Sequence, residues 1–297
     1  MLQVPSQTND DIELQGQAAA SNASNQSAEL ASVGFGVTER GQLISLALAA
    51  LAIVGLLFAL TSPIPQDPEY HLFVDGRRLF AIPNCWNVLS ALPLLLVGVW
   101  GLSYVNKHDH DACVPELAVA YRTFFVGILL TAFGSAYYHL MPSNESLVFD
   151  RLPMTIGFAG LFSIVTGEFV SARIGRRLLI PLLIIGIASV AFWAITESHG
   201  VGDLRPYALV QFLPMLLIPV ILVVYRSASE SARYFWIMIA FYVVAKLCEH
   251  FDAEIFSLAE IVSGHTLKHL FASLAPATLL YALTRYRLRP GPTESAR

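Results

Sequence analysis

Long apolar runs alternate with short polar segments along most of the chain. The first run, ISLALAALAIVGLLFAL, lies between Gln42 and Leu60, and a Pro-punctuated polar segment at 61–85 separates it from seven more. Those seven cover approximately 86–105, 117–140, 151–170, 178–196, 204–225, 234–256 and 265–286. Each is about 19 to 24 residues long, which is the length a helix needs to cross roughly 30 Å of hydrocarbon. The pattern predicts an all-α, multi-pass membrane protein: a seven-transmembrane-helix bundle preceded by one extra N-terminal transmembrane helix.

Composition supports this class and argues against others. Of the 297 residues, 55% are hydrophobic and 13% are charged, and the mean hydropathy is +0.59. Soluble domains carry about 25% charged residues. The formal net charge of −4 and the absence of a long basic run give no indication of a nucleic-acid partner, and no protein partner is evident. The cysteines are isolated and odd in number, so no disulfide framework is predicted (Cys85, Cys113 and Cys248).

The same pattern divides the chain into four segments. Residues 1–40 are rich in Ser, Asn, Gln and Ala without apolar periodicity, which predicts a disordered tail. An anchor transmembrane helix is predicted at 41–62, because this run is too long and too far along the chain for a cleaved signal peptide. The seven-helix membrane domain then covers 63–290, and 291–297 form a C-terminal tail.

Basic residues in the short loops predict the orientation of the chain. They collect in alternate connections and at the end of the chain, at Lys107, Arg173, Arg176, Arg177, Arg226, Arg233, Arg285, Arg287, Arg289 and Arg297. The opposite loops, 141–150, 197–203 and 257–264, contain no Lys or Arg, although Arg77 and Arg78 in the segment 61–85 are exceptions. The C-terminus and the tail are therefore expected in the cytoplasm. The short loops and the lack of an evident sorting signal favour a bacterial inner membrane.

Five polar residues are expected to meet at one end of this bundle. His265 and His269 are four residues apart, so both imidazoles face the same side of the last helix. Ser135 and His139 have the same spacing at the end of the second bundle helix, and Asp150 opens the third. The up-and-down topology brings these three helix ends to the outer face.

Three histidines with an open position are the ligand set of a catalytic zinc site. Zinc increases the acidity of water and polarises carbonyl groups, so Asp150 would act as the general base and Ser135 would orient the water or donate to the developing oxyanion. Each residue also has a structural alternative. Asp150 would cap a helix that has Pro153 in its first turn, His139 would lie in an aromatic belt, and Ser135 would bond to its own helix. Their common depth favours the metal site.

These residues carry a resemblance to a known family. Ser-x-x-x-His at the end of one helix, Asp eleven positions later and His-x-x-x-His opening the last helix resemble the alkaline ceramidase family, whose superfamily includes the progestin and adipoQ receptors. The resemblance covers roughly 66–286 and excludes the tail and anchor helix. It implies a zinc-dependent intramembrane hydrolase of ceramide or a related N-acyl lipid, with the zinc ligands and the residues around the attacking water at His139, His265, His269, Ser135 and Asp150.

The resemblance also raises a calcium site. Ceramidases of this family bind calcium near the first bundle helix through acidic residues, including a Glu shortly before a Trp-Asn pair. The pair is present here as Trp86-Asn87, but Asn84 stands where that Glu would be. Hard oxygen ligands of the kind that Ca²⁺ prefers precede it, at Asp67, Glu69 and Asp75. A calcium site at these four residues is therefore left open.

Two further polar groups have alternative interpretations. Glu249, His250 and Asp252, near the outer end of the sixth bundle helix, would either orient the ligating imidazoles or pair locally, since Lys246 and Glu249 are three residues apart. The sequence His108-Asp109-His110-Asp111 resembles a metal cluster but is interpreted as a solvated loop on the cytoplasmic side.

Two functions from different classes remain after this reasoning. The first is a hydrolase whose partners are a membrane lipid substrate and the bilayer. The alternative is a receptor-like, lipid-sensing bundle in which zinc is structural. A transporter is disfavoured because no inverted repeat with broken helices is evident.

Overall fold

The fold is all-α, as predicted. A computed structural model describes residues 39–108, 114–225 and 231–285. The helices in chain order are α1 (Glu39–Leu60), α2 (Cys85–Leu89), α3 (Leu92–His108), α4 (Ala118–Leu140), α5 (Asn144–Phe169), α6 (Ala172–Ser198), α7 (Arg205–Val224), α8 (Ala232–His250), α9 (Asp252–Ala259) and α10 (Gly264–Arg285). Short 3₁₀ helices occur at Pro68–His71 and Pro115–Leu117. Within the described ranges an isolated bridge between Leu79 and Ile82 is the only β-type pairing.

Long apolar helices make the chain a multi-pass membrane protein. By length and composition six spans qualify within the described residues, and the bent pair α8 and α9 would add a seventh. The sequence analysis predicts eight. The remaining helix, α10, has 22 residues and is about 33 Å long, which is sufficient to span. Its opening residues include His265, Lys268 and His269, and these polar residues lower its mean hydropathy.

The chain divides into two compact units, with the boundary between Ile53 and Val54. Of the first unit the structure describes residues 39–53, which are continuously helical. The second unit contains the end of α1 and all the other helices. Within it, α3, α4, α5, α7, α8 and α10 are successive neighbours, α10 packs against α3, and α6 packs against α5 and α7. This arrangement encloses an interior into which polar side chains from several helices project.

Helices α4 and α5 are the most extensively packed pair of helices among the described residues. A Cβ on Gly127 would overlap the backbone of Gly157, so the two helices approach at backbone distance there. Small residues at a helix crossing are the usual way to gain packing contacts in a membrane, where burial of apolar surface gives no driving force. The close crossing fixes the relative position of the side chains at the end of this pair.

Helix α5 begins earlier than the apolar pattern predicts. Ser143 and Ser146 form a capping box: the Ser143 hydroxyl accepts from the Ser146 amide, and the Ser146 hydroxyl accepts from the Ser143 amide. These caps lie among polar residues that precede the apolar run at 151–170. Asp150 is therefore in the second turn of α5, so its interpretation as an N-cap is wrong.

The predicted single helix at 234–256 is two helices. Helix α8 ends at His250, and α9 leaves it at 77°. The Asp252 carboxylate accepts a hydrogen bond of 2.7 Å from the backbone amide of His265, so the bend supplies a partner for the start of α10. Gly264 permits the close approach, because a Cβ there would overlap the carbonyl oxygen of Cys248.

Several predictions fall outside the described residues. They concern the tail at 1–38, the loop residues 109–113, Arg226 and the segment 286–297. Glu39 and Arg40 are helical, so the predicted tail boundary at 40 is two residues too late.

Candidate metal centre

Three buried histidines converge between α4 and α10. His139 lies in the last turn of α4, and His265 and His269 lie one above the other at the start of α10. The Nε2 atom of His139 is 3.3 Å from that of His265 and 3.4 Å from that of His269. One ring nitrogen of each residue lies within 4.8 Å of the other two, and no other group of three or more potential ligands of this kind occurs in the described ranges. The cluster could hold a metal ion.

The two distances from Nε2 of His139 match the ligand spacing around a small tetrahedral ion. Zinc–nitrogen bonds of about 2.0–2.1 Å at tetrahedral angles put ligand atoms about 3.3–3.4 Å apart. Hydrogen bonding explains the spacing less well, because protein hydrogen bonds of nitrogen donors are usually 2.7–3.2 Å long. Neutral imidazoles that face each other with their lone pairs would repel unless a cation lies between them. The donor set and its geometry therefore fit Zn²⁺.

Ser90 fixes the ring of His269. Its hydroxyl donates to the carbonyl oxygen of Asn87 at 2.9 Å, so it is left to accept from Nδ1 of His269 at 2.7 Å. The proton of His269 is thereby assigned to Nδ1, and the lone pair of Nε2 faces the other two histidines. Metal-ligating histidines in proteins generally donate their second nitrogen in this way. Ser90 was not predicted from the sequence, although it lies only three residues after the Trp86-Asn87 pair.

Aromatic packing positions the other two rings. Phe73 contacts His139 and His265 edge-on, with ring centroids 4.7 and 5.0 Å away. The backbone amide of His265 is held by Asp252, whereas the buried Nδ1 of His139 has no hydrogen-bond partner. Phe73 belongs to the polar segment between α1 and α2, so this segment covers the cluster.

Ser135 and Asp150 lie next to the cluster. Ser135 is buried one turn before His139 on α4, and it lies close to Asp150 near the start of α5. Gly134 makes this proximity possible, because a Cβ there would overlap the carbonyl oxygen of Phe149 on α5. Ser135 and Asp150 line, together with His269, a cavity of about 300 Å³. A hydroxyl, a carboxylate and a potential metal ligand thus line one cavity.

The three predicted orienting residues have other roles. Glu249 lines the cavity and binds Lys246 at 2.6 Å and Lys268 at 2.8 Å. His250 is exposed and packs against Phe251. Asp252 acts on the backbone of His265 rather than on an imidazole. The local pairing considered for Lys246 and Glu249 is present, and the orienting contact to an imidazole is made by Ser90 instead.

The four residues considered for calcium do not share one ligand cluster. Asp75 forms a two-pronged ion pair with Arg77, with both bonds 2.7 Å long, and this guanidinium holds the pKa of the Asp75 carboxyl below its usual value. Asp67 accepts from the backbone amide of Glu69. The amide nitrogen of Asn84 donates to the carbonyl oxygen of His139 at 2.8 Å. These contacts give no support to a calcium ion, and Asn84 instead holds the end of α4.

The cavity also contains polar residues of α5 and α7. Tyr207 and Gln211 line it, whereas Arg205 binds Asp203 and takes no part. Arg151 lines it beside Asp150 and was not singled out, because an arginine directly after a proposed catalytic residue has no spacing that identifies it.

Comparison with known proteins gives no independent assignment. No family model matches the chain, and no curated protein matches it. The three-histidine cluster and the adjoining cavity are therefore the features of this chain that bear on its function.

Proposed function

We propose that this protein is a zinc-dependent intramembrane hydrolase that cleaves the amide bond of ceramide or a related N-acyl lipid. The proposal follows the resemblance to alkaline ceramidases. The observation that carries it is the convergence of three imidazole nitrogens beside a buried serine and an aspartate in one cavity. A purely structural metal site has no need of the adjacent Ser135, Asp150 and cavity.

The chain's own residues divide the work of the reaction. Zn²⁺ held by His139, His265 and His269 would polarise the amide carbonyl and increase the acidity of water. Asp150 accepts the proton that water loses as its oxygen attacks the carbonyl carbon, and passes it to the nitrogen as the carbon–nitrogen bond breaks. Ser135 lines the same cavity as Asp150, where it would orient the water or donate a hydrogen bond to the developing oxyanion. Water and amide are thereby converted to a fatty acid and an amine.

A second cavity adjoins the first and suits an acyl chain. It measures about 150 Å³ and is lined almost wholly by apolar side chains, including Phe124 and Ile218. Both cavities are lined by Leu94, Thr131, Met154, Tyr242 and Ala272. An amide at the polar end and a hydrocarbon chain at the apolar end match this succession of surfaces.

We also propose the location of the site. The loop charges favour a cytoplasmic C-terminus and a site near the outer surface of a bacterial inner membrane. Reporter fusions after Arg285 and within 197–203 test this orientation. The first is expected on the cytoplasmic side and the second on the outer side, and the reverse result would contradict the orientation.

The decisive experiment combines metal content with turnover. Full-length protein is purified in detergent as wild type, His269→Ala and His250→Ala, and each is assayed for zinc and for palmitate release from palmitoyl ceramide. We expect about one zinc per chain and many turnovers in the wild type and in His250→Ala, and loss of both in His269→Ala. His250 is the matched control because it is an exposed histidine close to the site.

Two results would contradict the proposal. Zinc without turnover on any N-acyl lipid would favour the lipid-sensing alternative, in which lipid binds stoichiometrically. Undiminished turnover in zinc-free His269→Ala would mean that the histidine cluster has no part in the chemistry.

A second variant separates the aspartate from the metal. Asp150→Asn keeps the shape of the side chain but cannot accept the proton. We expect palmitate release to fall by a factor of about 10² to 10⁴ while zinc content is retained.

A further inference from the structure

Arg151 is a buried arginine in the cavity wall. It follows Asp150 on α5 and is 6% exposed. Its guanidinium lies 4.2 Å from the ring centre of Trp193, 4.9 Å from that of Tyr207 and 5.7 Å from that of Tyr70. Burial in this surrounding raises the pKa of the Tyr70 hydroxyl. Aromatic faces attract a cation but leave its N–H groups unpaired.

The hydrogen bonds of this guanidinium are incomplete. Nη2 donates to the side-chain oxygen of Gln66 at 2.7 Å, while Nη1 is buried without a hydrogen-bond partner. No described residue forms an ion pair with Arg151. Arg205, by contrast, is bound by the Asp203 carboxylate and by the carbonyl oxygen of Thr61. An unpaired buried charge is costly, and in a membrane protein it usually marks a functional site.

The cavity as a whole has an excess of positive charge. Its walls include three cationic side chains (Arg151, Lys246 and Lys268) but only two carboxylates (Asp150 and Glu249). Glu249 is shared by both lysines, so it does not compensate Arg151. A divalent ion on the neutral histidines would increase the excess. A neutral lipid headgroup would leave it uncompensated.

We infer that Arg151 binds an acidic group of the substrate, a carboxylate, phosphate or sulfonate close to the scissile amide. This inference rests on the proposed hydrolase function and makes N-acyl lipids with an acidic headgroup, such as N-acyl amino acids, its preferred substrates over neutral ones such as ceramide. The planar guanidinium presents N–H groups in the geometry that such oxygens accept, and Nη1 is the group available for it. The amide nitrogen of an N-acyl amino acid is two bonds from its carboxylate carbon, which suits two side chains that line one cavity, Asp150 for the proton transfer and Arg151 for the anion.

The test uses two substrates that differ in one group. N-palmitoyl serine carries a carboxylate where N-palmitoyl serinol carries a hydroxymethyl group, and the amide and acyl chain are identical. For the wild-type protein we expect kcat/KM to be at least about tenfold higher for the acid, as for other charge-assisted hydrogen bonds. Arg151→Gln should reduce this ratio to about one. Arg151→Lys, which keeps the charge but loses the planar fork, should give an intermediate ratio.

The half-buried Arg122 provides a matched control. Its side chain binds Asn106 and does not line the cavity, so Arg122→Gln should keep the wild-type ratio. Zinc content and elution as a single species establish that each variant is folded. If Arg151→Gln does not fold, the ratio in Arg151→Lys decides. Equal or better cleavage of the serinol by the wild type, or a ratio unchanged in both Arg151 variants, overturns the inference while the hydrolase proposal stands.

A binding measurement separates this inference from the proposed function. If neither compound is hydrolysed, their effects on the melting temperature of wild type and Arg151→Gln are compared. Stabilisation of the wild type by N-palmitoyl serine alone, lost in the variant, would support the anion site although the hydrolase proposal had failed. Equal effects of both compounds on both proteins would refute the anion site.

Discussion

Replacing Ser90 with alanine should weaken metal binding without touching a ligand. The Ser90 hydroxyl is the acceptor for Nδ1 of His269, and both groups are buried. Without it, a buried N–H loses its partner at a cost of about 1–3 kcal/mol. Loss of such an orienting contact typically lowers metal affinity about 10- to 100-fold, and these two magnitudes agree because tenfold corresponds to about 1.4 kcal/mol. We therefore expect the zinc affinity of Ser90→Ala to be lower by about tenfold or more.

The measurement is a zinc titration of metal-free protein against a chelator of known affinity. Ser103→Ala is the control. Ser103 lies in the same predicted apolar run as Ser90, but it is exposed and its hydroxyl donates to the carbonyl oxygen of Val99 on its own helix. Ser103→Ala should bind zinc as the wild type does. If Ser90→Ala also bound zinc with wild-type affinity, the assignment of the His269 proton to Nδ1 and its role in orienting the ring would be refuted.

Two further predictions concern packing and pH. Gly134→Ala should separate α4 from α5, because the added Cβ would overlap the backbone at Phe149. We expect the free energy of unfolding to fall by about 1–3 kcal/mol and turnover to fall on the order of 100-fold. Gly55→Ala is the control, because a Cβ there meets open space. A melting curve and a turnover assay check it, and unchanged values for both would contradict the described crossing. Arg205 holds the pKa of Asp203 below its ordinary value of 3.8, so this pair stabilises the fold above that pH and the contribution is lost as pH falls through the lower folded pKa. Melting temperatures recorded across that acidic range should fall less steeply for Asp203→Asn than for the wild type, and parallel curves would show that the pair has no such effect.

The helices could be predicted from the sequence because membrane thickness sets their length. Apolar runs of about 20 residues leave few alternatives to a spanning helix. The helix boundaries were harder to predict from the sequence, because the first residue of a helix depends on polar capping contacts. Ser143 and Ser146 cap α5 within a polar stretch that the apolar pattern does not include. Asp252, just after the end of α8, accepts a hydrogen bond from a backbone amide 13 residues later.

The histidines could be predicted because spacing places them on one face and topology places the faces together. The residues that orient or complement them could not. Ser90 and Ser103 are both isolated serines in one apolar run, and the sequence does not distinguish the one that contacts an imidazole from the one that bonds to its own helix. Arg151 likewise could not be identified from the sequence, because aromatic residues that pack against it lie on α6 and α7 and no local pattern connects them to it.

The positions of the proposed metal ligands along the chain would also impose an order on the assembly of the protein. His139 and His265 are 126 residues apart, and five helices, α5 to α9, lie between them. During synthesis the first ligand is therefore in the membrane long before the chelate can form. Ion capture can only follow insertion and docking of α10, so bound metal would report that the whole bundle has closed. A chain stalled before that point would hold no metal, which gives the cell a chemical difference between finished and unfinished copies.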